Sequence, residues 1–588
     1  MSTKLRLAFS FAFLAFAPAT SAPAQSPPAA TELIPSDALL AVHLSRPKAL
    51  LDLLAGEDMM RCLRSLPQFA QHMAQPKTQE FLNLVNVLET SLNTDWRTGL
   101  RKLTGAGVTL AVCPNDRVLI VIDAEDQRLL EQLQSLFLTF ARGEAQKQGR
   151  AEVVPKQYAG ATIWSFDGNE AHALLGNRLV FANSRESLQM ALDLREQGKD
   201  ESLAANGAFQ AAVRAAGRDA VGTAFVNVKT LAGLPQVSRL LNGQGSNPLA
   251  ALAFAGIVES LRSSTWLALD LQVEKEGLAL RALTDGKNTG ATSPAAFALP
   301  QNSSAGAWPG IVVPGRIAAL SLYRDLHRFY AAKDDLFPER TSGLIFFENM
   351  MGIFFSGRDL TSEVLAEAEP EIRIVVAEQR YDPAVGTPQV KLPAFAVVLR
   401  MRHPQQFKPV MEEAWQKAVG LINFTRGQKA LPGLIIDRPV HAGTTFTVGY
   451  FSTIDVEDKT KLDQRFNFRP TLAMPGDYLI LGSTDTLTRD LIEALGREGE
   501  QTIAPLAGTD SLVEIEGAHL ASILQDNREG IIRDDMLKKG RSHAEAQANA
   551  DTLLAVVRLL DQVRLSIGTH EGLTEARLRI KLDLSPRQ

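Results

Sequence analysis

Cysteine is almost missing from this chain. Only Cys62 and Cys113 occur in 588 residues, and their spacing fits no metal-binding or redox motif. Cys62 falls on a predicted helix and Cys113 at the end of a predicted strand, so a bridge would tie helix to sheet, and the sequence leaves open whether they pair. An excess of charge is lacking too. The formal net charge of −5 offers neither a basic footprint for nucleic acid nor an acidic tail. The five Trp are scattered, with no stacking platform among basic residues, so no nucleic-acid partner is expected. Beyond the N-terminus no apolar run reaches the length of a membrane-crossing helix; the best stretch, Leu344 to Phe355, is broken by Glu348 and Asn349. There is no G-x-S-x-G elbow and no H-E-x-x-H helix. Gly105-Ala106-Gly107 and Gly243-Gln244-Gly245 are too short to cradle a phosphate, and neither follows a strand and opens a helix. No catalytic, cofactor-binding or metal-binding residue is assigned, and no cofactor is expected.

What is present begins with residues 1–24. Lys4 and Arg6 form a positive region, Leu7 to Ala17 an apolar one, and Ala22-Pro23-Ala24 a cleavage site before Gln25, which together predict a secretory signal peptide. No Cys follows the site to take a lipid. Cleavage removes Lys4 and Arg6 and moves the formal charge from −5 to −7. Residues 25–32 read as a flexible Pro/Ala-rich leader.

The rest reads as a duplication. Gly176-Asn177-Arg178-Leu179-Val180-Phe181 leads through Ser184 into a helical run, and Gly476-Asp477-Tyr478-Leu479-Ile480-Leu481 leads through Thr484 into another. Asp95 to Val112 aligns without a gap to Asp359 to Val376, each starting with an Asp able to cap a helix and ending in a strand. Val118 to Ile122 answers Phe395 to Leu399, and the apolar character of both runs predicts central strands covered on both faces. Thr162 to Phe166 and Ala171 to Leu175 form a hairpin over Asp167-Gly168, matched by Thr445 to Tyr450 and, after a polar insertion, Phe466-Asn467-Phe468 and Thr471 to Met474. The predicted class is α+β: two similar domains, 33–283 and 311–585, joined by a Gly/Ser/Pro-rich linker at 284–310. Each is a largely antiparallel sheet of hairpins with helices packed on one face.

Several polar groups invite chemistry and have simpler readings. Ser45-Arg46-Pro47-Lys48 matches S-x-x-K, yet a Ser at a helix start is an N-cap and the matching place, Ser321-Leu322-Tyr323-Arg324, has no Lys. Asp123-Ala124-Glu125-Asp126 could gather a metal or simply favour a helix dipole; its counterpart, Arg400-Met401-Arg402-His403, has the opposite charge. Asp167 to Glu170 lacks calcium-loop spacing. His43 reads as a structural histidine, and His403 and His441 have no His partner nearby in sequence. Asn302-Ser303-Ser304 and Asn423-Phe424-Thr425 fit the glycosylation sequon.

The signal peptide, the opening Ile34-Pro35-Ser36-Asp37-Ala38-Leu39 and the repeated Gly-Asp/Asn-x-Leu-Val/Ile hairpins resemble uncharacterised families of exported bacterial proteins, known as domains of unknown function. The resemblance implies no activity or site. The residues themselves lead to the expectation of a periplasmic or extracellular, non-catalytic protein that binds an envelope protein partner through sheet edges or an interdomain groove, with no membrane span after cleavage. Two alternatives stand beside it: a hydrolase with its site at the interface of the two domains, and a carrier of an apolar ligand, which needs a large enclosed apolar cavity.

Overall fold

A computed structural model describes residues 29–585 except 65, 67, 70–72, 148–152, 154, 166–169, 218, 235–236, 238–246, 287–295, 301, 303, 455 and 502. The signal peptide, the turn at Asp167-Gly168 and the Gly243–Gly245 stretch lie outside the described residues. The chain divides into two compact units, Met1–Asn242 with Leu261–Gly286 and Leu584–Gln588, and Gly243–Ser260 with Lys287–Asp583.

The first unit is built on β1 (Leu40–Leu44), β2 (Gly107–Cys113), β3 (Arg117–Asp123), β4 (Pro155–Tyr158), β5 (Ala161–Ser165), β6 (Ala171–Leu175), β7 (Arg178–Ala182), β8 (Gly222–Val226), β9 (Leu267–Glu274) and β10 (Gly277–Thr284). Antiparallel pairing gives the order β4-β5-β6-β7-β3-β2-β1-β8-β9-β10. β3 is central, between β2 and β7. The tight turn before it forms because Asn115 and Asp116 both take positive φ, 62° and 57°, the geometry that matches a hairpin's twist.

The second unit is built on β11 (Arg316–Tyr323), β12 (Ala368–Ala377), β13 (Ala394–Met401), β14 (Ile435–Asp437), β15 (Val440–His441), β16 (Thr444–Tyr450), β17 (Thr471–Ala473), β18 (Tyr478–Gly482), β19 (Thr509–Glu516), β20 (Leu560–His570) and β21 (Leu573–Leu582). The order is β14-β16-β17-β18-β13-β12-β11-β19-β20-β21, again antiparallel, with β15 paired to β16. The class is therefore α+β with extensive antiparallel sheet, as the sequence indicates.

One expectation fails here. The second unit's sheet is covered on both faces, not one. Ile480, Val375, Ala396 and Val398 pack with Leu487, Leu491, Ile492 and Leu495 of helix Asp485–Glu500. Leu472 and Leu479 pack on the opposite face with Phe407 and Trp415 of helix Pro404–Gly427 and with Leu344 and Met351 of helix Thr341–Phe354. The cause is Leu479-Ile480-Leu481: adjacent strand residues point to opposite faces, so a continuous apolar run needs cover on both. Phe466-Asn467-Phe468 also departs from the strand reading, because Gln464–Asn467 forms a 3-10 turn. Within the stretch expected as a linker, Ala296–Ala298 is a buried turn. A strap follows at 305–313, held by Ala307 N–H to Thr509 O at 2.6 Å and by the Arg316 guanidinium donating to Ile311 O at 3.3 Å.

Candidate functional site

The helices expose more apolar surface than a covered sheet needs. On helix Thr341–Phe354, Leu344 and Met351 face the core. Phe346 and Ile353 on the other side are 70% and 69% exposed, with Ile345 open beside them. Their spacing of seven and eight residues puts all three on one stripe. Glu348 is drawn to Lys333 at 3.3 Å, which leaves that stripe uncharged. Helix Pro404–Gly427 buries Phe407, Ala414 and Val419 and opens Leu421, Ile422 and Phe424. In the first unit, helix Pro76–Leu92 opens Phe81, Leu84 and Val87, three residues apart, and helix Gln127–Lys147 opens Phe137 and Phe140. Single exposed apolar residues are ordinary; stripes along a helix mark a surface made to be covered. The stretch Leu344 to Phe355, which stood out in sequence only as a failed membrane span, supplies the most exposed of these stripes.

One polar hollow is lined by Arg380 and Arg469 against Glu378, Asp382, Asp485 and Asp490. A cavity of about 180 Å³ lies at the N-terminus of helix Asp485–Glu500. In it Arg380 pairs with Asp490, and Arg469 with Asp485 at 2.8 Å. Tyr381 donates to Asn467 Oδ1 at 2.7 Å, and burial raises its hydroxyl pKa. The lining supplies paired charges rather than a base beside a nucleophile.

The residues singled out in sequence are brought into structural roles. Ser45 Oγ donates to Ala220 O at 3.1 Å, while Lys48 turns to Asp52 at 3.5 Å, so the two do not form a dyad. Asp123 pairs with Arg178 at 2.5 Å. Asp126 accepts from Leu129 N–H at 3.1 Å and pairs with Lys102, and those bonds hold its carboxyl below the usual range. Arg400, the opposite charge at the corresponding strand end, pairs with Asp477 at 2.6 Å, so each charge is matched inside its own unit. Among the described residues no group of three or more His, Cys, Asp or Glu is placed to hold a metal. His403 bonds Glu367 at 3.1 Å and His441 bonds Glu493 at 2.8 Å. Asn423 accepts from Leu434 N–H and donates to Leu434 O, so its amide is engaged. Asn302 accepts from Ser304 N–H and Oγ in an exposed turn. Cys113 is a buried free thiol and so is not bridged to Cys62; burial pushes it up to about 11.

His43 sits where Gly107 leaves room: a Cβ there would meet the imidazole Cε1 at 3.1 Å and Leu44 O at 3.2 Å, at a φ of +127°. Its Nδ1 bonds Thr109 Oγ1 at 2.9 Å, beside an apolar cavity of about 20 Å³, room for one water. Burial pushes the imidazole down to about 4. A folded-state pKa below the unfolded value gives stability that is present above pH ~6.5 and lost as pH falls through 4. Acidification from pH 7 to 4 should therefore weaken the first unit by roughly 1–3 kcal/mol through this residue. Urea midpoints measured across that range should fall more steeply with acid in wild type than in His43→Asn, and parallel slopes would remove the assignment.

Sequence reading missed one polar cluster. Arg373, 1% exposed, pairs with Glu371 at 3.0 Å and Glu498 at 2.7 Å. Its guanidinium carbon lies 5.9 Å from the Trp308 ring centre and 5.5 Å from that of Tyr478, and Arg400 approaches the same two rings at 5.8 and 5.7 Å. The only sequence trace was the charge reversal at Arg400.

Comparison with known proteins places residues 5–307 within a family model described as "Protein of unknown function (DUF3352)". No curated protein matches the chain. Among solved structures, one titled "Structure of crystal form I of TP0453" is similar at 9% identity over 46% of this chain and 82% of that one, with a TM-score of 0.20.

Proposed function

We propose, from the premise that this chain belongs to the DUF3352 family of proteins of unknown function, that it is an exported, non-catalytic protein that docks an envelope protein partner through its open apolar helix faces. The observation that carries this reading is the stripe of Ile345, Phe346 and Ile353. Helix-in-groove recognition uses apolar anchors spaced a whole number of turns along one helix face, as Phe346 and Ile353 are at i and i+7. The terminal strands β4 and β14 are only four and three residues long, which makes those two sheet edges weak surfaces for a partner.

The two units read as copies of one ancestor. Support comes from their equivalent strand orders, from Leu44 paired to Val108 where Leu322 pairs to Ile372, and from helix caps at Asp95 and Asp359. Turn glycines Gly176 and Gly476 both take positive φ. By this register Ser45 corresponds to Tyr323 and Arg46 to Arg324, a shift of two from the match made on sequence. Helices Pro76–Leu92 and Thr341–Phe354 then occupy corresponding places, and both are open and apolar. A shared docking surface survives this comparison better than a shared active site does.

A photo-crosslinking residue at position 346 or 353 of the full chain, in cells, should give a discrete protein adduct that the same residue at Leu537 does not. Phe346→Ser with Ile353→Ser should lower adduct yield from position 424 at least tenfold, the scale of losing two interface anchors. Equal labelling at 346 and 537 sinks the docking reading. Export is tested separately: the mature N-terminus should be Gln25, and an intact Met1 on the accumulated protein counts against it.

A further inference from the structure

The Arg373 cluster has an odd number of charges for its burial. Glu371 and Arg373 come from β12, Arg400 from β13, Asp477 from the turn before β18, Tyr478 from β18 itself and Glu498 from helix Asp485–Glu500. Strand register sets Tyr323 and Ser321 of β11 opposite Glu371 and Arg373, and Trp308 on the strap closes the cluster from above the two guanidinium groups. Two permanent cations thus meet three carboxylates. Arg400 with Asp477 and Arg373 with Glu498 form two closed pairs at 2.6 and 2.7 Å. Glu371, the most buried of the three with its side chain 6% exposed, is the third carboxylate and must share Arg373 with Glu498, its Oε1 lying 3.0 Å from Arg373 Nε. Its Oε1, the Nε and Nη2 of Arg373 and the hydroxyl of Ser321 find no well-directed hydrogen-bond partner among the described residues. The polar contacts here are incompletely satisfied, and an unbalanced buried charge is expensive.

We propose that this cluster is a proton-binding site in which Glu371 carries the proton, and that the proton sets how firmly the strap bearing Trp308 is held on the sheet. With Glu371 neutral, two cations face two anions and the rings of Trp308 and Tyr478 lie against a balanced core. With Glu371 ionised, the excess negative charge draws both guanidinium groups away from the rings, and the cation–π contacts that hold Trp308 weaken. The first unit has no such excess at the corresponding strand ends: Asp123 meets Arg178 one to one. Burial pushes Glu371 up to about 7, against the pull of Arg373 and Arg400 and with a further push from Glu498 and Asp477. A carboxyl raised in the folded state stabilises the fold below its unfolded pKa, ~4.3, and that stabilisation is lost as pH rises through 7. The strap should therefore be tight below neutrality and looser above it.

The test is tryptophan emission of the full mature chain from pH 5.5 to 8.5, with Trp308→Phe to isolate the signal of that ring. Wild type should show a transition near neutrality that Trp308→Phe and Glu371→Gln both lack. Glu498→Gln, which frees Arg373 to hold Glu371 ionised, should move the midpoint to lower pH by at least half a unit. A transition that persists in Glu371→Gln, a midpoint unmoved in Glu498→Gln, or a wild-type signal flat across the range overturns the proposal. Near-UV circular dichroism at pH 6 confirms that each variant is folded; if Glu371→Gln is not, the Glu498→Gln midpoint decides alone.

Discussion

Replacing Arg324 with leucine is expected to destabilise the second unit by about 3–5 kcal/mol, the scale of leaving a buried ionic partner alone. Arg324 is 1% exposed. All five of its N–H groups are used: Nε on Leu252 O at 2.6 Å, Nη1 on Tyr323 O and Asp510 O at 2.7 and 2.9 Å, and Nη2 on Ala253 O and Ser511 Oγ at 2.9 and 2.7 Å. Asp510, 3.5 Å away, would be left as a buried carboxylate with its cation gone. The carbonyl bonds fasten helix Pro248–Arg262, which the chain reaches between β8 and β9, to β11 and β19. Urea unfolding followed by circular dichroism should show the loss, and limited proteolysis should cut first within residues 248–262. Arg324→Lys should recover less than half, since an ammonium has three donors and no planar fork. A leucine variant within 1 kcal/mol of wild type would mean that the guanidinium merely fills space.

Asn467→Ala should lower stability by about 3 kcal/mol, from several buried groups left without partners at roughly 1 kcal/mol or more each. The side chain is saturated. Oδ1 accepts from Leu392 N–H at 2.9 Å and Tyr381 O–H at 2.7 Å, and Nδ2 donates to Val390 O at 2.8 Å and Gln464 O at 2.9 Å. It therefore pins the long loop between β12 and β13 to the 3-10 turn that carries it. Amide exchange at Leu392 should accelerate at least tenfold in the variant. Asn467→Asp, of equal size, should be worse at neutral pH, because an oxygen then faces two carbonyl oxygens. A small global loss with unchanged exchange at Leu392 would show that the loop is held by other contacts.

These two residues mark where sequence reading stops. Nothing in Phe466-Asn467-Phe468 distinguishes the Asn from a turn residue, because its four partners come from residues 381–392 and 464, distant in sequence except for Gln464. Arg324 was visible only as a misaligned counterpart of Lys48. A sequence match cannot see register, and β1 paired to β2 with Leu44 against Val108 supplies it. The same limit hid the Glu371 cluster, since Trp308, Glu371, Arg400 and Glu498 are up to 190 residues apart.

Local patterns determined the strands, the helix starts and the fold class. Strand alternation, positive-φ turn residues and side-chain caps such as Asp95, Ser184 and Thr484 act over a few residues, so their signals are written contiguously. The tertiary structure alone decided which sheet faces are covered, which charges meet, and which apolar helix residues stay in the open. Each of those depends on groups brought together from far along the chain. Leu344 to Phe355 shows the division: its apolar character was plain in the sequence, but only the packing of Leu344 and Met351 into the core shows that Phe346 and Ile353 are left facing out.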